Sequence, residues 1–303
     1  MQVVVVGGGS IGTRHARLLS DLGCHVSVVS ARDVDHPCYR SLQEAISAVH
    51  PEYVVVANRT SDHLSTVMQL ETMGYSGTLL VEKPLFHEMT PTIALKRDEL
   101  YVAYNLRFHP LLVRLCQELA SERCLSAQIY VGQYLPTWRP GTDYRECYSA
   151  HKLQGGGVLR DLSHELDYVN WLFGGWQGVF AHGGRYSSLE IDSDDIYALL
   201  LSTERCPTVS VQLNYLDRVG RREILVNTDS CSIRVDLTKG VFERDGRAEF
   251  VDLPRDYTYR EQHKAILFAA AKGVCTYTEG LEVLALIDAA ERSSKEKRWI
   301  TRN

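Results

Sequence analysis

No stretch of the 303-residue chain approaches the ~18 consecutive apolar residues of a membrane-spanning helix. The sequence therefore predicts no membrane span. Positive charge is not in excess: 33 Lys and Arg face 38 Asp and Glu, for a net charge of -5. A nucleic-acid binder usually presents a basic face, so nucleic acid is not an expected partner. The eight cysteines are scattered and never spaced C-x-x-C. They read as reduced structural thiols rather than a disulfide framework. No Cys/His group has metal-ligand spacing, and His164-Glu165 lacks the second histidine of H-E-x-x-H because position 168 is Tyr168. No metal is expected. Repeats, low-complexity tracts and long charge runs are also missing. The opening MQVVVVGGG has no basic n-region, and glycines end its apolar run after four valines. It does not read as a secretory signal, and the cytoplasm is the expected compartment.

What is present is a globular composition, 45% hydrophobic and 23% charged. The length suits about two domains of ~150 residues. Residues 3–6 are a β-branched run, as in a strand buried on both faces. Gly7-Gly8-Gly9-Ser10-Ile11-Gly12 follows and matches G-x-G-x-x-G. A helical pattern comes next, with Ile11, His15, Leu18, Leu19 and Leu22 on one face and Gly23 as its stop. A second strand is predicted at 25–30. Strand, glycine turn and helix in this order bind dinucleotides for a physical reason. Gly7 permits the tight turn, Gly9 lets a pyrophosphate approach the backbone, and Gly12 lets helix and sheet pack closely. The helix N-terminus at Ser10 and Ile11 adds N–H donors and partial positive charge. A glycine-rich turn in a doubly wound domain with another ligand is the alternative.

The end of the second strand bears on the choice of cofactor. An NAD site usually places an acid there for the ribose 2′-OH. Here Ser30 holds that position and Arg32 follows, which suits the 2′-phosphate of NADP. A register shift that brings Asp33 into the acid position specifies NAD instead.

Further strands are predicted at 53–57, 78–81 and 100–104, with a helix between the first two ending at Gly74. Alternating strands and helices predict a parallel sheet. Ligands in such sheets lie outside the carboxyl ends of the strands. Gly7 to Gly12, Asn58-Arg59-Thr60, Glu82-Lys83-Pro84 and Asn105 to Arg107 all fall at that edge. Pro84 disfavours the helical region for Lys83 and holds its backbone extended. An amine there can share or accept the proton of a substrate hydroxyl as hydride leaves carbon. Burial and a cationic nicotinamide both push such an amine's pKa down. Glu82 is expected to help set Lys83 and the nicotinamide ribose. A Glu–Lys surface pair is the plain alternative.

After a helix at 111–120 the pattern changes to period two, with strands at 127–135, 179–186, 196–202, 208–215, 222–226 and 232–237. Consecutive strands without helices predict an antiparallel sheet. The domains are therefore expected to be 1–110, for the dinucleotide, and 111–303, for substrate and oligomerisation. Between strands, 160–173 reads as one amphipathic helix, with Leu162, Leu166, Val169 and Phe173 on one face and Asp161, His164, Glu165 and Tyr168 on another. A neutral imidazole can take a proton from an alcohol, and a nearby carboxylate raises its basicity. A solvated helix face is the alternative. Trp138-Arg139 and Tyr144-Arg145 lie in the preceding loop. Two arginines with aromatic neighbours suit a substrate carboxylate or phosphate, with Arg107 and Tyr168 as further substrate candidates.

GGGSIG, the EKP of 82–84, YNLRFHP of 104–110, GGGVLRDLSHELDYVNWLFG of 155–174 and EGLEVLALIDAAERS of 279–293 together resemble the Gfo/Idh/MocA family, named for glucose-fructose oxidoreductase and inositol dehydrogenase. The resemblance implies an N-terminal Rossmann domain and a C-terminal α+β domain whose large, mostly antiparallel sheet forms a homo-oligomer interface. It implies a pyridine-nucleotide oxidoreductase of a sugar or polyol, with Lys83 as the catalytic lysine and His164 and Asp161 as its partners. The two arginines near Trp138 favour an acidic or nucleotide-linked sugar, and the loop at 138–145 and DLSHELDY resemble enzymes found with surface-sugar biosynthesis. Some relatives keep the fold as sensors without turnover, and a non-sugar reductase is a third reading. One departure stands out. The family often writes D-x-x-x-H, whereas Asp161-Leu162-Ser163-His164 is one residue shorter.

Overall fold

The computed structural model describes residues 1–89 and 99–302, which fall into two compact units. Met1–Phe108 and Asp256–Leu281 form the first; His109–Arg255 and the chain from Glu282 onward form the second. The chain begins with Gln2–Val6 (β1), Ser10–Asp21 (α1), His25–Val29 (β2), Cys38–Tyr39 (β3), Leu42–Val49 (α2), Tyr53–Val56 (β4), His63–Thr72 (α3), Thr78–Val81 (β5) and Leu100–Val102 (β6). Next come Pro110–Leu119 (α4), Cys124–Gly132 (β7), Leu135–Trp138 (α5), Val158–Asp161 (α6), His164–Phe173 (α7), Trp176–Gly184 (β8), Ile196–Thr203 (β9) and Val209–Asn214 (β10). Arg221–Thr228 (β11), Ser232–Asp236 (β12), Val241–Arg244 (β13), Arg247–Phe250 (β14), Tyr257–Phe268 (α8), Cys275–Thr276 (β15), Tyr277–Glu296 (α9) and Ile300–Thr301 (β16) complete it.

The first unit is built on a seven-stranded sheet in the order β15-β6-β5-β4-β1-β2-β3. Its strands pair in parallel except β15, which runs antiparallel to β6. Val3 to Val6 are at most 6% exposed. A strand covered on both faces needs such an unbroken apolar run, and each buried valine contributes about 1.5–3 kcal/mol. β3 and β15 are two residues long, too short to carry a period, and escape sequence reading.

Residues 256–281, expected in the second domain, fold with the first unit. α8 buries Thr258, Gln262, His263 and Ala265, and His263 finds its partners on α1 and β4, more than 200 positions earlier. No local pattern announces so distant a pairing.

The second unit carries a nine-stranded sheet, β14-β13-β12-β11-β7-β10-β9-β8-β16. It is antiparallel throughout except where β10 pairs in parallel with β7. The fold is thus α/β, a parallel sheet followed by a mostly antiparallel one. The single helix expected over 160–173 is two: α6 ends at Asp161 and α7 starts at His164.

Gly157, in the glycine run before α6, has φ +109°, and a Cβ there would lie 2.4 Å from Oδ1 of Asp194. Asp194 accepts the main-chain N–H of Leu159 at 3.4 Å. Burial, only partly offset by that N–H and by Arg160, pushes its carboxyl up to about 6. An unfolded aspartate ionises near ~3.9. Between roughly pH 4 and 6 the folded state therefore binds the extra proton, so stability falls as pH rises through that window and stays lower above it. Asp194→Asn keeps the acceptor and removes the charge. It should gain on the order of 2 kcal/mol over wild type at pH 8 and close to nothing at pH 4. Urea unfolding at both pH values tests this; an equal gain at the two would exclude charge burial as the cause.

Candidate functional site

The carboxyl edge of the parallel sheet is where most candidates meet. β1 hands over to Gly7, whose φ of +119° and close approach to the Ala57 carbonyl (2.4 Å from a built Cβ) leave room for glycine alone. Its N–H donates to the Val29 carbonyl at 2.9 Å. A Cβ on Gly12 would sit 1.9 Å from the Gly7 carbonyl oxygen, so α1 rests directly on the turn. Gly9 differs. It is the N-cap of α1 with an extended backbone, and a Cβ there meets nothing within 4 Å. No acidic residue occupies the first turn of α1 and no side chain caps it, so the N–H groups beside Ser10 and Ile11 keep their partial positive charge. A cradle that a Cβ would enter, at an uncapped helix N-terminus, fits a pyrophosphate.

Beyond β2, Ser30 is buried, and its hydroxyl accepts the main-chain N–H of Arg32 at 2.9 Å. Arg32 is exposed. Arg40, which sequence reading missed, donates to the Ser30 carbonyl at 3.0 Å and pairs with Asp33 at 2.6 Å. Its only signal was a position after an unrecognised two-residue strand.

At the end of β4, Asn58 donates to Thr66 at 2.8 Å, and its buried Oδ1 has no hydrogen-bond partner among the described residues. Arg59 is exposed, and Thr60 opens a short 3₁₀ turn. β5 ends in Glu82-Lys83-Pro84. Glu82 is 7% exposed; Oε1 lies 2.8 Å from Nε2 of His15, and Oε2 accepts the main-chain N–H of Lys83 at 3.0 Å. Burial pushes this carboxyl up, but the His15 bond and the Lys83 charge outweigh it and hold the group below the usual range. The peptide joining Lys83 to Pro84 is cis, and the Lys83 side chain is partly exposed. His63 on α3 approaches the carbonyls of Pro84 and Leu85 through Nδ1, at 3.2 Å each. Burial lowers its pKa.

Two candidates at this edge turn out to be committed. Asn105 donates to Thr258 at 2.6 Å, and both are buried. The Arg107 side chain is 3% exposed and bonded to Glu279 at 2.7 Å, which ties the turn after β6 to α9. Arg107, a substrate candidate in the sequence, is thus buried and engaged by an internal acid.

In the second unit, Asp161 is 4% exposed and accepts the Tyr215 hydroxyl at 2.7 Å. Tyr215 packs on Trp138 with ring centroids 5.7 Å apart, and the Arg139 guanidinium lies over the Tyr148 ring at 4.9 Å. Burial first, then the Asp161 charge, raises the Tyr148 and Tyr215 phenols, so both remain donors. Trp138, Arg139 and Tyr144 line a shallow pocket with Leu135, Thr142 and Cys147. Tyr148 and Tyr215 lay outside the sequence motifs.

The expected pair of arginines does not form a clamp. Arg145 is exposed and chelated by Asp143, with bonds of 2.6–3.0 Å, and reaches Glu190 at 3.4 Å. Its charge is neutralised where it stands. His164, 9% exposed, is the first residue of α7. Tyr168 is fully buried and donates to Glu165 at 3.2 Å, while Glu165 pairs with Arg222 at 2.9 Å. The polar stripe is interior, so Tyr168 braces α7 and is not available to a substrate.

Residues 123–243 match the profile of the GFO/IDH/MocA C-terminal domain. That segment of the chain is thus of the Gfo/Idh/MocA C-terminal type. Residues 2–53 match the profile of pyridine nucleotide-disulphide oxidoreductase, over the segment that holds β1 and its glycine turn. No curated protein matches the sequence. Among solved structures, the chain resembles GenD2 from gentamicin A biosynthesis in complex with NAD, at 21% identity over 100% of this chain and 96% of that one, TM-score 0.80. It resembles levoglucosan dehydrogenase with NADH at 16% identity over 99% and 98%, TM-score 0.86. The WlbA dehydrogenase from Bordetella pertussis, with NADH and UDP-GlcNAcA, is 15% identical over 100% and 98%, TM-score 0.81. At these identities the likeness is one of fold.

The contact of Gly12 with the Gly7 carbonyl is between backbones, and no flexible side chain can give way. Gly12→Ala should therefore cost about 1–3 kcal/mol, read as a lower urea midpoint at unchanged slope. A variant as stable as wild type would mean that α1 is free to lift off the turn.

Proposed function

We propose that the protein is a nicotinamide-dinucleotide-dependent oxidoreductase of a sugar or sugar-like polyol. The observation that carries this reading is that the open, acid-free N-terminus of α1 at Gly9 and the Glu82-Lys83 exit of β5 share one sheet edge, with β4 between their strands. The glycine turn, Asn58 and the residues after β2 would hold the dinucleotide. Bound there, a nicotinamide supplies the carbon that takes or gives a hydride. Lys83 exchanges the proton of the reacting hydroxyl, and Glu82 fixes the main chain from which that amine projects. His164 and Asp161 keep the proton-handling roles that the family resemblance implies. The dehydrogenase neighbours, including one solved with a nucleotide-linked acidic sugar, support this substrate class. Acidic and nucleotide-linked sugars therefore belong in a substrate screen beside neutral sugars and polyols, followed at the nicotinamide absorbance. The protein is further proposed to act in surface-sugar biosynthesis and to assemble as a homo-oligomer through its C-terminal sheet.

NADP is proposed over NAD. Position 30 is a serine, Arg32 and Arg40 flank it, and the nearest acid, Asp33, is paired with Arg40. The neighbours named above were solved with NAD or NADH, so the preference is a property to be measured on this chain. Fluorescence titration should show NADPH binding more tightly than NADH, and Arg32→Ala should weaken NADPH by about tenfold (~1.4 kcal/mol) with NADH unchanged. Tighter NADH binding by wild type would overturn the argument from Ser30 and Arg32.

Two variants test the site itself. Gly9→Ala places a Cβ in the cradle where it meets nothing within 4 Å, so unfolding should stay within about 0.5 kcal/mol of wild type while dinucleotide affinity drops. Lys83→Met should lose roughly 10²–10⁴-fold in turnover and still bind dinucleotide. Full turnover by Lys83→Met would remove the lysine from the chemistry.

A further inference from the structure

Behind Glu82 runs a buried chain of titratable groups that the proposed chemistry does not use. The Tyr53 hydroxyl lies 3.1 Å from Nδ1 of His263. Nε2 of His263 lies 2.8 Å from Nδ1 of His15, and Nε2 of His15 lies 2.8 Å from Glu82. Tyr53, His15 and His263 are each 0% exposed. All belong to the first unit, although they come from β4, α8 and α1.

Only one arrangement of protons satisfies every donor. The Tyr53 phenol is held protonated by burial, and its O–H must donate, so Nδ1 of His263 accepts. His263 then carries its proton on Nε2 and donates to Nδ1 of His15. His15 carries its own on Nε2 and donates to the Glu82 carboxylate. The reverse direction would leave the Tyr53 O–H without an acceptor among the described residues, in a sealed interior where an unmet donor is costly. Burial, the largest influence on its titration, keeps His263 neutral. The groups that face Glu82 are His15 from α1, Lys83 beside it, His63 from α3 and the Tyr53 phenol from β4. Because the far end is a buried phenol, the chain does not conduct protons to solvent. It fixes orientation.

We propose that His15 and His263 are positioning residues: the aligned series Tyr53–His263–His15 holds one oxygen of Glu82 so that the other grips the main-chain N–H of Lys83, fixing where that side chain leaves the sheet. The proposal rests on the oxidoreductase reading, in which Lys83 reacts.

The test compares His15→Leu with His15→Gln. Glutamine carries an N–H donor about as far from the backbone as Nε2 of histidine and can still serve Glu82. Misplacing a reacting group by about 1 Å costs on the order of 10²-fold, so His15→Leu should lose about that much kcat, with KM for the sugar and dinucleotide affinity within about threefold of wild type. His15→Gln should recover most of it. Without its donor, Glu82 binds a proton more readily, so the deficit of His15→Leu should shrink as pH rises. Damage to packing alone predicts the same deficit at every pH. The resting wild-type protein gives a readout without turnover: ¹⁵N spectra should show both imidazoles protonated on Nε2 and bare on Nδ1. Should His15→Leu fail to fold, His15→Gln and the spectra decide.

A protonated Nδ1 on either ring, a pH-independent deficit, or kcat in His15→Leu equal to wild type overturns the positioning role while the oxidoreductase reading stands. A wild type that turns over no sugar with either dinucleotide overturns that reading, and the role in catalysis falls with it even if the spectra show the aligned chain.

Discussion

A carboxylate taken out of water is tolerated only where donors meet its oxygens. Glu82 is such a group, and much of the first unit is arranged around it. One oxygen needs the imidazole of His15, so α1 must cross the sheet at a fixed height; the Gly12–Gly7 contact permits the closeness this requires. The other oxygen takes the Lys83 N–H, which shapes the exit of β5. His15 in turn needs a partner for its second nitrogen, and α8 supplies it from 248 positions away. α8 belongs to the segment Asp256–Leu281, which returns to a unit the rest of which ends at Phe108.

The parts of this that sequence makes legible are local. Four valines followed by glycines, and an apolar face at helical spacing, announce β1, the turn and α1 because each is decided within about a dozen residues. The change from alternating strands and helices to consecutive strands likewise announces two kinds of sheet. His15 itself was visible as a histidine on the apolar face of α1. Its purpose was not, since nothing near it in the chain marks His263 as a partner.

What stayed hidden depends on tertiary partners or on short elements. Arg40 follows a strand of two residues, below the length at which alternation can be seen. Arg107 looked like a cation leaving the sheet edge for a ligand, and only the position of Glu279 on α9 shows it to be an internal tie. Periodicity also joined α6 to α7 because apolar residues continue in register across Leu162 and Ser163. The break leaves Asp161 at the end of one short helix and His164 at the start of the next. The one-residue shortening against the family's usual spacing is thus not a displacement along a continuous helix, because no continuous helix is there.

The electrostatics of the second unit then separate two ideas that the sequence merged. Arg139 and Arg145 read as a pair of cations able to grip an anionic substrate. Arg145 is neutralised by Asp143 and Glu190. Arg139 feels the Asp161 charge and lies over Tyr148, so its field is offset as well. Asp161 for its part is hydrogen-bonded by a phenol that burial keeps protonated. What the pocket beside Trp138 presents is therefore less a point of positive charge than an aromatic wall with one compensated guanidinium. A guanidinium that already feels the charge of one buried carboxylate attracts a second anion less strongly than a bare one does.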